Sequence, residues 1–168
     1  MSKHTLSFVL AACAAAICGC AGMPGDADRT AKDVRAECGK LYADPRIDPV
    51  RSHILLPISF EAPQPIEMLA DKARPTDAEK PAIKALSEAM HECRRVSESR
   101  IGPLPIYRMK SEDRVLEALA DLYEGATTYG QFAREVLYIG ERDKIARETL
   151  DEEIRGREKW RTLHDNGG

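Results

Sequence analysis

Long apolar runs and an excess of basic charge are both missing from this sequence of 168 residues. The apolar stretch near the N-terminus covers residues 5–17, and a transmembrane helix needs roughly 20 apolar residues. The formal net charge is −3, whereas a nucleic-acid-binding protein presents a dominant basic surface. We therefore expect neither a permanent membrane span nor a nucleic-acid partner.

The sequence patterns of common catalytic sites are missing as well. There is no Gly-x-Ser-x-Gly nucleophile elbow and no glycine-rich phosphate-binding loop. The sequence His-Glu-Cys-Arg-Arg at residues 91–95 begins like a zinc-protease helix, but Arg95 stands where the second metal-binding His belongs. Acidic residues are so frequent that no glycosidase-like pair stands out. We therefore expect a non-enzymatic protein without a cofactor or a metal.

Aromatic residues are also few, at 5% of the chain, whereas charged residues make up 32%. No segment shows a convincing alternation of apolar and polar residues, which a half-buried strand would produce. This composition fits a modest aliphatic core covered by charged helix faces. We expect an all-α fold, namely a small antiparallel helical bundle.

The N-terminus has the layout of a secretory signal, with Lys3 followed by the short apolar stretch and then small residues. The small residues end in Ile17-Cys18-Gly19-Cys20. This sequence resembles the lipobox of bacterial lipoproteins, which signal peptidase II cleaves. The resemblance implies that residues 1–19 are removed and that the Cys20 thiol carries a lipid. It covers only the N-terminus and says nothing about the family of the domain.

A second lipobox-like sequence, Leu-Ala-Ala-Cys, ends at Cys13. Cleavage there would leave an apolar region of residues 5–12 only, near the lower bound for a signal, so we favour Cys20. A soluble export signal and an uncleaved apolar start remain as alternatives. The resemblance also implies a location in the cell envelope, because Ala21 rather than Asp follows Cys20. We expect an anchor in the outer membrane, with the protein facing the periplasm.

The mature chain would comprise a flexible tether over residues 20–26 and a single helical domain over residues 27–168. Cys13 and Cys18 would leave with the signal, so that Cys38 and Cys93 remain as a pair in an oxidising compartment. Both cysteines lie on apolar helical stripes, and we predict a disulfide between them. The alternatives are two buried free thiols or a zinc site that adds His53 and His91, although this spacing matches no compact zinc motif.

The apolar spacing predicts four main helices and a proline-rich irregular segment. The predicted helices cover residues 27–43, a short stretch at 65–70, the region from a capping box at 76–79 to about 101, the region from Ser111 to a Gly125 cap, and residues 129 to about 163. Five prolines between residues 44 and 65 exclude a long helix there. On the last helix, we expect Phe132, Val136, Ile139, Ala146, Leu150 and Ile154 to form the buried face.

Three surfaces allow different interpretations. The apolar segment 54–60 either covers the core or forms a binding strip. The charged end of the C-terminal helix, beyond Gly140, is either a solvated end or the contact for an envelope protein. The basic residues near the turn at 102–105 form either a patch for anionic lipid or glycan or an ordinary mixed surface: Arg94, Arg95, Arg100, Arg108, Lys110 and Arg114. We favour a non-catalytic interaction domain, and the alternative is a module that binds a small molecule, a lipid or a cell-wall glycan.

Overall fold

The computed structural model describes residues 24–60 and 62–165, and within these ranges it contains helices and no strand. The α-helices are α1 (Pro24–Tyr42), α2 (Ile66–Leu69), α3 (Lys80–Arg100), α4 (Ile106–Tyr123) and α5 (Tyr129–Asp165), and a 3-10 helix covers Pro45–Val50. The predicted all-α fold is therefore confirmed. The signal, Cys13, Cys20 and residues 20–23 of the tether lie outside the described residues.

The four long helices run antiparallel to their neighbours. Short links join α3 to α4 and α4 to α5, and the Arg94 guanidinium of α3 lies 2.7 Å from the Glu112 carboxylate of α4. Helices α1 and α3 are joined between Cys38 and Cys93, and Val34 packs in the same cluster as Val96. The start of α1, the end of α3 and the start of α4 therefore lie at one end of the bundle, which we call the Ile106 end. Helix α5 leaves the bundle at this end.

The core is aliphatic, as the composition predicts. Its largest fully buried side chains come from the 3-10 helix and from α3, α4 and α5: Ile47, Val50, Ile83, Leu86, Val115, Leu119, Leu122, Tyr129 and Ile139. Burial of one such aliphatic side chain contributes about 1.5–3 kcal/mol. Within residues 24–60 and 62–165, none of the helices combines the length and the apolar character that a membrane span requires.

Two predicted signals fix the turn between α4 and α5. The Gly125 N–H donates to the Leu122 carbonyl and the Ala126 N–H to the Asp121 carbonyl, both at 2.9 Å, and Gly125 has a φ of +74°. This is the Schellman pattern, which favours glycine because its φ is positive. The next residues form a capping box, because Thr128 and Gln131 each donate a backbone N–H to the other's side-chain oxygen.

Two helix starts differ from the prediction. Pro24, the first described residue, already belongs to α1, so the helix includes the last three residues of the predicted tether. Helix α4 begins at Ile106, directly after Pro105, rather than at Ser111. Ser111 is instead a buried helical residue whose hydroxyl donates to the Tyr107 carbonyl at 3.1 Å. This hydrogen bond within the helix satisfies the Ser111 hydroxyl, which therefore does not cap the start of the helix.

The apolar segment 54–60 covers the core rather than standing exposed. Ile54 is buried, and Leu56, Ile58 and Phe60 are half-buried against the main core cluster. The chain then crosses α5 at two glycines. A Cβ on Gly130 would lie 2.4 Å from the Asp71 carbonyl oxygen, and one on Gly140 would lie 2.7 Å from the Phe60 carbonyl oxygen. We call residues 54–60 and 62–73 the strap, because its backbone lies directly on α5.

Candidate functional site

Cys38 and Cys93 form the predicted disulfide, with an S–S distance of 2.02 Å and a Cα–Cα distance of 5.0 Å. The bond joins α1 to α3. It also removes the two thiolates that a zinc site would use, and His53 lies elsewhere, against Asp71. The described residues contain no group of three or more His, Cys, Asp or Glu side chains that could hold a metal ion.

The basic residues near the turn at 102–105 belong to a mixed surface. Four of the six pair with carboxylates: Arg94 with Glu112 and Asp113, Arg95 with Glu92, Arg100 with Glu37, and Arg108 with Glu112 and Asp143. These pairs neutralise much of the local positive charge. They also tie α3 to α1 and α4 to both α3 and α5, so the arginines stabilise the arrangement of helices.

A polar cluster that the sequence did not predict lies where the strap meets α3 and α5. His53 Nδ1 is 2.6 Å from an Asp71 carboxylate oxygen, and His53 Nε2 is 3.7 Å from a Glu79 carboxylate oxygen. The imidazole also stacks on the Tyr129 ring, with centroids 4.3 Å apart. These four residues are far apart in the sequence, so helical periodicity gave no signal for the cluster.

Hydrogen bonds stabilise the charged form of both carboxylates in this cluster. Burial by itself would raise the pKa of Asp71, but hydrogen bonds from the Ala73 N–H and from His53 outweigh it and lower that pKa. A hydrogen bond from the Thr76 N–H is the main cause of the lowered pKa of Glu79. Burial raises the pKa of the Tyr129 phenol, and the nearby Glu79 and Asp71 carboxylates raise it further.

A histidine between two carboxylates could transfer protons, but the space beside it is small. The cavity lined by His53, Ile54, Ile58 and Phe132 has a volume of about 10 Å³. That is room for about one water molecule. The contacts of His53, Asp71 and Glu79 with one another hold the strap against α3 and α5, so the arrangement fits a structural role.

A wider groove lies between α4 and α5 and has a volume of about 380 Å³. Its lining mixes both signs of charge with aromatic side chains: Arg114, Glu117, Asp121, Glu135, Arg142, Phe132 and Tyr138. The Thr127 hydroxyl is buried in this lining and makes no hydrogen bond within the part of the chain that the structure describes. The volume falls within the range of small-molecule sites.

The most prominent feature is the C-terminal part of α5, which continues past the rest of the bundle. Helix α5 has 37 residues, whereas its antiparallel neighbour α4 has 18. Asp143, opposite Arg108, is buried, and the side chains of residues 151–161 are exposed. We call residues 144–165 the projecting segment. Ala146 and Leu150 are half-buried and Ile154 is 40% exposed there, so the predicted buried face is only partly covered beyond Asp143 and is wrong at Ile154, because α4 begins opposite Asp143.

Comparison of the chain with protein-family models, with curated proteins and with solved structures found no match. Of the residues singled out in the sequence, the structure joins Cys38 to Cys93, places His53 against Asp71 and leaves His91 exposed on α3. The projecting segment contains the charged helix end for which the sequence suggested a partner.

Proposed function

We propose that this chain is a lipid-anchored lipoprotein of the bacterial envelope, held by Cys20 and facing the periplasm from the outer membrane. Its helical domain is non-catalytic and docks another envelope protein through α5. The observation that carries the docking proposal is the projecting segment, whose 22 residues of helix continue beyond the Asp143–Arg108 ion pair and expose the side chains of residues 151–161. A largely exposed stretch of helix gains little stability from packing, and a partner that covers it would explain its length.

The lipid anchor is proposed from Cys20 and the residues before it, and two features of the domain support it. The Cys38–Cys93 disulfide suits an oxidising compartment such as the periplasm. Helix α1 begins at Pro24, so only residues 21–23 would separate it from the lipidated cysteine. Such a short link would hold the domain within about 15 Å of the membrane surface.

The surface proposed for the partner is the continuation of the buried stripe of α5. Ala146 and Leu150 are half-buried and Ile154 is exposed, and they share a face at four-residue spacing. Two acidic residues flank this stripe, namely Asp151 and Glu153. A partner with a complementary apolar groove and a basic rim would fit this face.

The docking proposal is tested by chemical crosslinking in whole envelopes and capture of the tagged chain. Removal of residues 148–168 keeps the Asp143–Arg108 contact and should abolish capture of a partner that the parent recovers in repeated experiments. Leu150→Ser should weaken capture, whereas Glu148→Ser, on the opposite side of the same helix turn, is the matched control. Unchanged recovery after truncation would refute docking through this segment.

A second candidate function is a module that binds a small molecule or a cell-wall glycan fragment. The groove between α4 and α5 favours it, because the Thr127 hydroxyl lies buried there without a partner among the described residues. Soluble cell-wall fragments should then raise the melting temperature of the parent, and Thr127→Val should reduce that rise. No rise with any fragment would remove this candidate.

A further inference from the structure

The N-terminal end of α1 and the C-terminal end of α5 point out of the same end of the bundle. Helix α1 is antiparallel to α3, with Cys38 bonded to Cys93, and α3, α4 and α5 alternate in direction. Arg108, near the start of α4, contacts Asp143, where α5 leaves the bundle. If Cys20 carries a lipid, as proposed above, the projecting segment is therefore directed toward the membrane.

The projecting segment is long enough to reach the membrane surface that holds the Cys20 lipid. The pairs Cys38–Cys93 and Val34–Val96 place the end of α3 level with about residue 30 of α1. From there, the rest of α1 and the link back to Cys20 span at most about 25 Å. The projecting segment is helical as far as Asp165 and extends about 30 Å. Its length is therefore similar to the reach of the anchor.

The charge of the projecting segment changes along its length. Residues 144–147, nearest the bundle, contain Lys144 and Arg147, and residues 148–153 then contain four acidic residues and no basic one. Farther out, residues 155–161 contain four basic residues and one acidic residue, namely Arg155, Arg157, Lys159 and Arg161 with Glu158. We call residues 155–161 the basic tip. Its Trp160 is 61% exposed, and tryptophan with flanking Lys and Arg suits a membrane–water interface.

We propose that the basic tip of α5 binds anionic phospholipid headgroups of the same membrane that holds the Cys20 lipid. Arg157, Lys159 and Arg161 contact phosphate groups, and the Trp160 ring lies at the level of the headgroups. The domain is thereby attached at two points, one at each side of the Ile106 end, and its orientation is fixed. The acidic residues 148–153 stay away from the lipid, where an envelope protein can reach them.

Trp160 is the single tryptophan of the chain, so its fluorescence reports on the tip alone. The full lipidated chain is reconstituted into vesicles of phosphatidylethanolamine and phosphatidylglycerol, or of phosphatidylcholine alone, with brominated acyl chains as quenchers. We expect the Trp160 emission to shift to shorter wavelength and to be quenched several-fold more in the anionic vesicles. High salt should reverse both effects, because the attraction is electrostatic.

Two double variants separate the charge of the tip from the overall charge of the chain. Arg157→Glu with Lys159→Glu reverses charge at the tip and should abolish the quenching. Lys72→Glu with Lys84→Glu makes the same change of charge at exposed positions away from the tip and should leave the quenching near that of the parent. Vesicle flotation should be equal for all three proteins, because the lipid on Cys20 still holds them.

Flotation tests the lipid anchor and Trp160 fluorescence tests the basic tip, so the two proposals can fail separately. A chain that floats with vesicles but whose Trp160 emission is the same in anionic and neutral lipid overturns the tip proposal and leaves the anchor intact. A Trp160 response that requires other envelope proteins assigns the tip to a protein and overturns the proposal too. A chain that does not float overturns the anchor and, with it, this inference.

Discussion

The carboxylate of Asp143 lies 3.5 Å from the guanidinium of Arg108, and Asp143 is only 6% exposed. This contact joins α4 to α5 at the level where the bundle ends. Arg108 also lies over the Phe60 ring, 4.4 Å from its centroid, so the same guanidinium holds the strap. The contact therefore marks the boundary between the packed part of α5 and the projecting segment.

Arg108→Ala should lower the free energy of unfolding by about 1–3 kcal/mol, because it leaves a buried carboxylate without its partner. The double variant Arg108→Ala with Asp143→Ala should lose less than the sum of the two single variants, as coupled residues do. Urea denaturation measures all three, with Lys144→Ala as an exposed control. Additive losses would show that Asp143 and Arg108 are not coupled.

Loss of the disulfide should have a large effect. Cys38 and Cys93 are separated by 55 residues, and the chain-entropy model gives a contribution of about 4 kcal/mol for such a loop. Cys38→Ser should therefore melt well below the parent under oxidising conditions, and a reductant should lower the melting temperature of the parent alone. Equal melting of parent and variant under both conditions would contradict a stabilising disulfide.

Gly140→Ala should destabilise the domain by about 1–3 kcal/mol, as overpacking of a core does. The added Cβ would lie 2.7 Å from the Phe60 carbonyl oxygen, a backbone atom. Gly156→Ala is the matched control, since nothing lies within 4 Å of a Cβ there, and it should stabilise the helix by up to about 1 kcal/mol. Thermal denaturation compares the two, and a loss at Gly156 equal to that at Gly140 would refute the close approach of the strap.

The cluster around His53 should make stability fall in acid. The pKa values of Asp71 and Glu79 are lowered in the folded protein. Their contribution is therefore complete above the unfolded values of about 4 and is lost as the pH falls through the folded ones. Asp71→Asn should be less stable than the parent near neutral pH and should lose less stability on acidification.

Urea denaturation over a range of pH measures this difference. Glu135→Gln is the control, because Glu135 is an exposed carboxylate on α5. An acid-induced loss in Asp71→Asn as large as that of the parent would show that the bond from His53 to Asp71 contributes nothing to the pH dependence.

Local signals made much of the fold predictable. The Thr128–Gln131 capping box and the Gly125 cap act within a few residues, so the sequence pattern alone places the turn between α4 and α5. The disulfide was predictable because Cys38 and Cys93 lie on apolar stripes of separate helices.

Non-local packing decided the rest. The periodicity continues through Leu150 and Ile154, but burial depends on a neighbour, and α4 begins too late in the bundle to cover Ile154. His53, Asp71, Glu79 and Tyr129 meet only because the strap folds back across α5. The crossing depends on Gly130 and Gly140, because a residue without a Cβ leaves room for the strap backbone. The need for glycine at these positions is apparent only from the position of the strap.

The lipid on Cys20 is the central claim. The location in the envelope, the closeness of α1 to the membrane and the orientation of α5 all depend on it. Metabolic labelling with palmitate tests it in the parent, in Cys20→Ala and in Cys13→Ala. The account predicts equal labelling of the parent and Cys13→Ala and no labelling of Cys20→Ala. Undiminished labelling of Cys20→Ala would contradict it.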